Sequence, residues 1–328
     1  MNGASSGLIV AAAVLAAAAT AALLRWKAWL PMAVRNERTL HTAPIPRVGG
    51  LAVWAGFVPV ALAAHSTPTM SAATWGIPLV LLAAVSLRDD MRAVAIAPRL
   101  SVHALAAVWF GVAALGGPAA SVAPIVLAAL IVAWSLNLYN FMDGSDGLAA
   151  AMAVLGFAAY GAVLLYEELP ATVPLALAAA TLPVLAVNVP PARIFLGDVG
   201  AVPLGFLAAA LGVAGVLDGA WGAWFPPLVF LPFVADATVT LARRVLAGER
   251  FWEAHHSHYY QRLHRMGAGH RGTLAVWGAL MVATAGTAVA CACLAPGLGV
   301  PALAAWCAVC AVLFAAIDYH WRRRQPMP

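Results

Sequence analysis

Every one of the 18 lysine and arginine residues in this 328-residue chain falls in one of five short stretches, and an even number of apolar runs separates each stretch from the next. The runs lie near 7–24, 50–66, 72–87, 101–117, 121–138, 147–166, 171–190, 200–217, 221–242, 273–294 and 297–317. An α-helix needs about 17 to 25 apolar residues to cross a bilayer, with allowance for proline-interrupted spans. Basic residues bias short loops toward the cytoplasm. The pattern therefore predicts an all-α, polytopic membrane protein of about 11 transmembrane helices, with the N-terminus periplasmic and the C-terminus cytoplasmic. The opposite loops carry Glu167, Glu168 and Asp218 and no basic residue. No ten-residue alternation of an outer-membrane barrel is present, and helices are the remaining way to satisfy a lipid-exposed backbone.

No internal repeat or long linker divides the chain, so a single integral membrane domain over 1–328 is expected. Its cytoplasmic surface is built from 25–49, 88–100, 139–146, 191–199 and 243–272, with a tail after 317. Only 9% of residues are charged, against about 25% in soluble domains. The net charge of +5 then follows from topology and from anionic lipid or substrate; no nucleic acid is expected as a partner. The first run lacks the basic n-region of a secretory signal, so it is expected to stay as a helix. Cys291, Cys293, Cys307 and Cys310 fall inside the last two runs and read as small packing residues. Lys27 is the only lysine and sits in no GxxxxGK[ST], which removes a P-loop.

The predicted topology puts Asp89, Asp90, Asp143, Asp146, Asp198 and a histidine group on one face. Asp143 and Asp146 could cap the helix beginning near 147, yet two carboxylates with Asn137 and Asn140 upstream exceed the needs of one cap. Asp89 and Asp90 could pair with Arg88 and Arg92 as a solvated loop. Gly-Asp-x-Gly around Asp198 suits a tight turn that offers one carboxylate to a cation. His255, His256 and His258 match no standard zinc spacing and have no cysteine nearby, which leaves phosphate recognition or an interfacial helix. His65 and His103 stand alone near span ends and read as incidental. Asp236 lies inside a run, and intramembrane acids of that kind build cation paths, so a cation- or proton-coupled transporter is the non-enzyme alternative. Acids with Asn and His beside a basic loop suit a divalent cation and a polyanion held together, since Mg²⁺ is usually bound by one or two carboxylates plus substrate phosphates.

Six segments in order, "HTAPIPRVGGLAVW", "RDDMRAVAIAPRL", "NLYNFMDGSDGLAA", "ARIFLGDVGAVPLGF", "PFVADATVTLARR" and "AHHSHYYQRLHRMG", give the chain a resemblance to the polyprenyl-phosphate N-acetylhexosamine-1-phosphate transferases. That superfamily includes the phospho-N-acetylmuramoyl-pentapeptide transferase, which stands as the alternative within it. The resemblance implies transfer of a sugar 1-phosphate from a UDP-N-acetylhexosamine to undecaprenyl phosphate in the bacterial inner membrane. The products are the diphosphate-linked lipid and UMP, and the active site faces the cytoplasm. It implies Mg²⁺, replaceable by Mn²⁺, and is compatible with a homodimer. Carried over by motif, Asp89 resembles the residue that deprotonates or orients the lipid phosphate, with Asp90 beside it. Asp198 and Asn140 resemble the metal-contacting pair, and Asp143 and Asp146 lie near metal and nucleotide. Phe195 resembles the ring that stacks on uracil. Asn137, Asn188 and Arg47 are further substrate-binding candidates, and His255, His258 and Arg262 resemble a motif that holds the sugar diphosphate. The "HHSHYYQRL" and "PIPRVGG" segments look more like the branch using simple N-acetylhexosamine donors for O-antigen or related envelope glycans. Leu87-Arg88, Ser145, Ala201 and His256 depart from the family's usual residues without removing a carboxylate. A CDP-alcohol phosphatidyltransferase is disfavoured because "DGSDGLAAAMA" lacks the arginine its motif requires.

Overall fold

The computed structural model of the chain describes residues 3–27, 30, 45–64, 69–117, 120–249 and 256–324. Among them run the helices α1 (Gly3–Arg25), α2 (Gly49–Ala63), α3 (Ala72–Met91), α4 (Ile96–Leu115), α5 (Val122–Phe141), α6 (Leu148–Tyr166) and α7 (Thr172–Asn188). They continue with α8 (Asp198–Leu217), α9 (Phe225–Val229), α10 (Leu231–Leu246), α11 (Tyr259–Leu263), α12 (Gly269–Leu294) and α13 (Gly299–Arg324), with no extended strand among the described residues. Eight helical units among these residues are long and apolar enough to cross a membrane. α2 and α7 are equally apolar but shorter, at 15 and 17 residues.

Each expected run has its helix, but the run at 221–242 is divided into α9 and α10 at Phe230. Pro226 and Pro232 lie in the first turns of the two pieces, where a missing N–H is tolerated, and a single continuous helix through them is not. Helices also outrun the apolar runs. α3 continues to Met91, α5 continues to Phe141 and α8 begins at Asp198. Asp89, Asp90, Asn137, Asn140 and Asp198 therefore sit on terminal helical turns rather than in open loops. Hydropathy ends a run at the first charge, whereas a helix ends where its backbone loses partners.

α8 is the axis of the molecule, with 16 of its 20 residues buried, and it touches α2, α3, α4, α5, α6 and α9. Its glycines and alanines let neighbours approach closely, the usual device of helix packing in lipid. A Cβ on Gly205 would stand 2.7 Å from the Ser135 carbonyl oxygen, and the Ser135 hydroxyl donates to the Gly205 carbonyl at 2.8 Å. Tyr160 fastens the other side by donating to the Ala208 carbonyl at 3.0 Å. The outer helices expose side chains such as Val80, Leu130 and Val312, surfaces that a bilayer solvates and water does not. All four cysteines are free; Cys291 and Cys310 are buried, in keeping with packing roles, whereas Cys307 is exposed.

Candidate active site

The platform of the site is a splice between two glycine-rich segments. The Phe195 amide donates to the Pro46 carbonyl at 2.8 Å, and the Gly49 and Gly50 amides donate to the Phe195 and Leu196 carbonyls at 2.9 and 2.8 Å. A Cβ at Gly50 would stand 2.3 Å from the Gly200 Cα. Gly197, at φ +75°, could carry a side chain only 2.1 Å from the Arg47 carbonyl oxygen. The Trp54 indole donates to the Val199 carbonyl at 2.8 Å and closes the joint. This splice sets the first turn of α8, and with it Asp198, against Arg47.

Asp90 completes that turn. Its carboxylate accepts the Asp198 and Val199 amides at 3.2 and 2.9 Å, so it caps α8 from a different helix, where the helix dipole favours negative charge. The side chain is 1% exposed. The first amides of α8 are thus committed to Asp90, and the geometry gives this acid the work of positioning Asp198. Asp89 points elsewhere, accepting the Val94 amide at 2.6 Å and the Arg99 guanidinium at 2.8 Å. Arg99 also lies 3.8 Å from Asp198, and Arg47 reaches Asp90 at 3.6 Å and Asp198 at 3.5 Å. The partners of the acidic pair are Arg47 and Arg99, not the Arg88 and Arg92 adjacent in sequence. Two guanidiniums are shared among three carboxylates.

A fourth carboxylate comes from the turn between α5 and α6. Removal from water, followed by the nearness of Asp198, raises the Asp143 carboxyl well above the ordinary aspartate range, and Arg47 only partly offsets this. Asp90 and Asp146 push in the same direction. Asp146 itself accepts the Ala192 amide at 3.0 Å. Asn188 ties the same two loops, accepting the Gly147 amide at 3.1 Å and donating to the Ile194 carbonyl at 2.8 Å. Asp146 and Asn188 therefore act as staples between 145–147 and 192–194.

The histidine segment docks on this turn through groups that the motif reading did not assign. Asp236, fully buried in α10, accepts the Tyr259 and Tyr260 amides at 2.9 Å each and the Thr240 hydroxyl at 3.2 Å. His258 Nδ1 stands 3.4 Å from the same carboxylate. A carboxylate engaged in this way caps the return of the loop, and it removes the main residue from a transport path. The Tyr260 hydroxyl donates to the Phe141 carbonyl at 3.0 Å, and a Cβ at Gly144 would stand 2.1 Å from that hydroxyl. His258 lies with its ring centroid 5.9 Å from those of both Phe141 and Tyr260. His270 of α12 reaches the turn from the other side, its Nδ1 at 3.1 Å from Ser145 Oγ and 3.2 Å from the Asp146 amide nitrogen.

Asp89, Asp90, Asp143, Asp146, Asp198, Arg47, Asn188 and Phe195 are thus brought together with His258 one layer behind. Asn137 is not part of that group. Its amide donates to the Ala133 carbonyl at 2.7 Å and its oxygen lies 3.3 Å from His103 Nδ1, so Asn137 and His103 pair between α5 and α4. Arg262 is also elsewhere, paired with Asp318 on α13 and lying over the Tyr259 ring at 5.2 Å. His255 lies outside the described residues. Asp236, Tyr260, Arg99 and His270 are the residues that motif reasoning missed. Asp236 and Arg99 carried a signal, an ionisable group in or beside an apolar run.

Hard oxygen donors in excess over cations suit a divalent ion such as Mg²⁺. Among the described residues no three His, Cys, Asp or Glu side chains close a metal site by themselves. The chemistry of the donor set fits an ion that takes its remaining ligands from substrate and water.

The profile of glycosyl transferase family 4 matches residues 72–216, the stretch that carries Asp89, Asp143 and Asp198. The decaprenyl-phosphate N-acetylglucosaminephosphotransferase of Mycobacterium tuberculosis is 30% identical over 285 residues, covering 73% of this chain and 70% of that protein. The "Probable undecaprenyl-phosphate N-acetylglucosaminyl 1-phosphate transferase" of Bacillus subtilis is 26% identical, covering 74% of this chain and 72% of its own length. The phospho-N-acetylmuramoyl-pentapeptide-transferase of Enterococcus hirae is 29% identical over a shorter stretch, 38% of this chain and 39% of that protein. With likeness on this scale reaching across the acid-bearing helices, the chain belongs to glycosyl transferase family 4.

Proposed function

We propose that the chain transfers an N-acetylhexosamine 1-phosphate from a UDP-sugar to a polyprenyl phosphate at the cytoplasmic membrane surface, releasing UMP and starting a lipid-linked envelope glycan. The observation that carries this reading is the gathering of Asp89, Asp90, Asp143 and Asp198, from three separate segments, with Arg47 and Arg99 as their ion-pair partners among the described residues. An acid-rich cluster of that kind favours a cation and a diphosphate over either alone. The likeness to the N-acetylglucosamine transferases spans about twice as much of the chain as the likeness to the muramoyl-pentapeptide enzymes, which supports a simple N-acetylhexosamine donor. A cytoplasmic location for the site is supported by the basic residues, which share the acids' ends of the helices, whereas Glu167, Glu168 and Asp218 lie at the opposite ends.

In this reading an oxygen of the acceptor phosphate attacks the phosphorus bonded to the sugar. The new P–O bond forms as the bond to the uridine-bearing phosphate breaks, and UMP leaves with the electron pair. The acceptor already supplies its nucleophilic oxygen, so direct attack needs no covalent enzyme intermediate. Asp89, fixed by Arg99 and the Val94 amide, orients the acceptor phosphate and takes its proton if one is present. Asp198 and Asn140 offer oxygens to Mg²⁺ or Mn²⁺, whose contribution when bound is to neutralise the diphosphate. Arg47 adds a fixed positive charge, and Asp143 stands on the donor side. Phe195 offers a ring face to uracil.

The test is UMP release by the detergent-purified full chain, supplied with Mg²⁺, undecaprenyl or decaprenyl phosphate and a panel of UDP-N-acetylhexosamines. UMP that depends on acceptor, metal and Asp198 is the expected result. UMP formed equally by Asp198→Asn, or no UMP from any donor with folded protein, contradicts it.

A further inference from the structure

Contacts outside the acid cluster single out one residue of α12. His270 follows Gly269, whose φ of +61° turns the chain out of the π-helical turn His264–Ala268. The turn includes Gly267 at φ +103°, and both angles suit glycine. That bend carries the imidazole under the turn between α5 and α6. There Nδ1 lies 3.2 Å from the Asp146 amide nitrogen, 3.1 Å from Ser145 Oγ and 3.6 Å from Asp146 Oδ1. A backbone N–H can only donate, so Nδ1 is the acceptor and the ring proton resides on Nε2. Ser145, a hydroxyl that rotates to suit, donates to the same nitrogen. The His264 ring stands edge-on to it, 4.4 Å between centroids, and backs it from the start of the π turn.

We propose that His270 is the positioning residue of the donor-side loop. It holds Ser145 and the Asp146 amide so that Asp143 faces Asp198, and Ser145 is its partner in doing so. Asp146 and Asn188 fix this turn toward 192–194, and Tyr260 fixes its front edge at Phe141. His270 supplies the remaining anchor, and it comes from the segment that also carries His258. The shape of the acid turn thereby depends on the docking of that segment. This inference rests on the transferase reading for its kinetic consequence but not for the contact itself.

The variants are His270→Asn, which keeps an acceptor near the Nδ1 position, and His270→Gln, which moves it away, with Ser145→Ala alone and combined. UMP release is measured with UDP-sugar varied at saturating acceptor, then the reverse. His270→Gln is expected to lower kcat/KM for the donor roughly 10- to 100-fold, the usual effect of losing a group that orients a site residue. The acceptor KM should stay unchanged, His270→Asn should recover most of the loss, and Ser145→Ala should add little on top of His270→Gln. Equal losses for donor and acceptor with no rescue by asparagine, or losses that multiply in the double variant, overturn the proposal. Nitrogen-15 spectra of histidine-labelled protein test the contact without turnover: a signal for unprotonated Nδ1 that vanishes in His270→Asn is expected, and a protonated Nδ1 overturns it. If no UDP-sugar is turned over by the wild type, the transferase reading fails while these spectra still decide the contact.

Discussion

Two clusters of charge contrast at the end of the bundle that carries the acids. Around Asp198, carboxylates from α3 and α8 share Arg47 and Arg99, at separations of 2.8 to 3.8 Å, and among the described residues no ion pair reaches Asp143 in the turn after α5. Around Asp318 the balance is reversed and complete. Both of its oxygens are taken by Arg243 and Arg262, whose guanidiniums also lie over the Tyr259 ring at 5.6 and 5.2 Å, while that ring stacks on Phe314 at 4.0 Å. The second cluster ties α10, α11 and α13 and leaves little for a ligand to add. Among the described residues the first leaves negative charge in excess, a condition that costs stability unless a cation and substrate relieve it. Charge that is satisfied locally holds a fold together, and charge left in excess marks a site.

The largest effect that separates the clusters is expected at Asp198. Asp198→Asn should keep the fold and lower kcat by at least about 10²-fold, read as UMP release per folded molecule. Removing divalent ions with a chelator should abolish turnover reversibly, with activity restored by Mg²⁺ or Mn²⁺ and no lasting change in the thermal unfolding midpoint. Gly50→Ala tests the platform beneath the acids. A Cβ 2.3 Å from the Gly200 Cα forces α2 and α8 apart, and a loss of about 1–3 kcal/mol in stability is expected along with activity. Arg262→Ala probes the complete cluster. It should cost about 1 kcal/mol of stability while the KM for the UDP-sugar stays at the wild-type value, whereas a raised KM would return Arg262 to the substrate. Asn137→Ala should affect turnover least, leaving both KM values at wild type, with a stability change within about 1.5 kcal/mol from the lost hydrogen bonds to His103 and the Ala133 carbonyl.

Much of this contrast was legible before any coordinates. The apolar runs predicted the helices, and the topology read from the basic stretches put Asp89, Asp143 and Asp198 on one face. The sequence did not reveal which acids face a ligand and which hold the fold. Asp90 and Asp89 are neighbours with identical side chains, yet one caps α8 and the other faces Arg99, because consecutive helical residues point about a quarter-turn apart. Arg262 belongs to a histidine-rich motif, and its partner Asp318 lies 56 residues further on. Asp236 looked like a lone intramembrane acid because the amides it accepts come from across a long loop. Ser145 looked like a departure until His270 supplied its partner. In each case the missing information was a long-range backbone amide or a single side chain, which no local pattern encodes.

The most direct test sets the two clusters side by side. UMP release is measured for Asp198→Asn and Asp318→Asn under the same conditions and normalised to folded protein by thermal unfolding. Turnover lost in Asp198→Asn and retained in the less stable Asp318→Asn is the predicted result. Turnover retained in Asp198→Asn, or abolished in Asp318→Asn that remains folded, would contradict the assignment of the site to the acid-rich cluster.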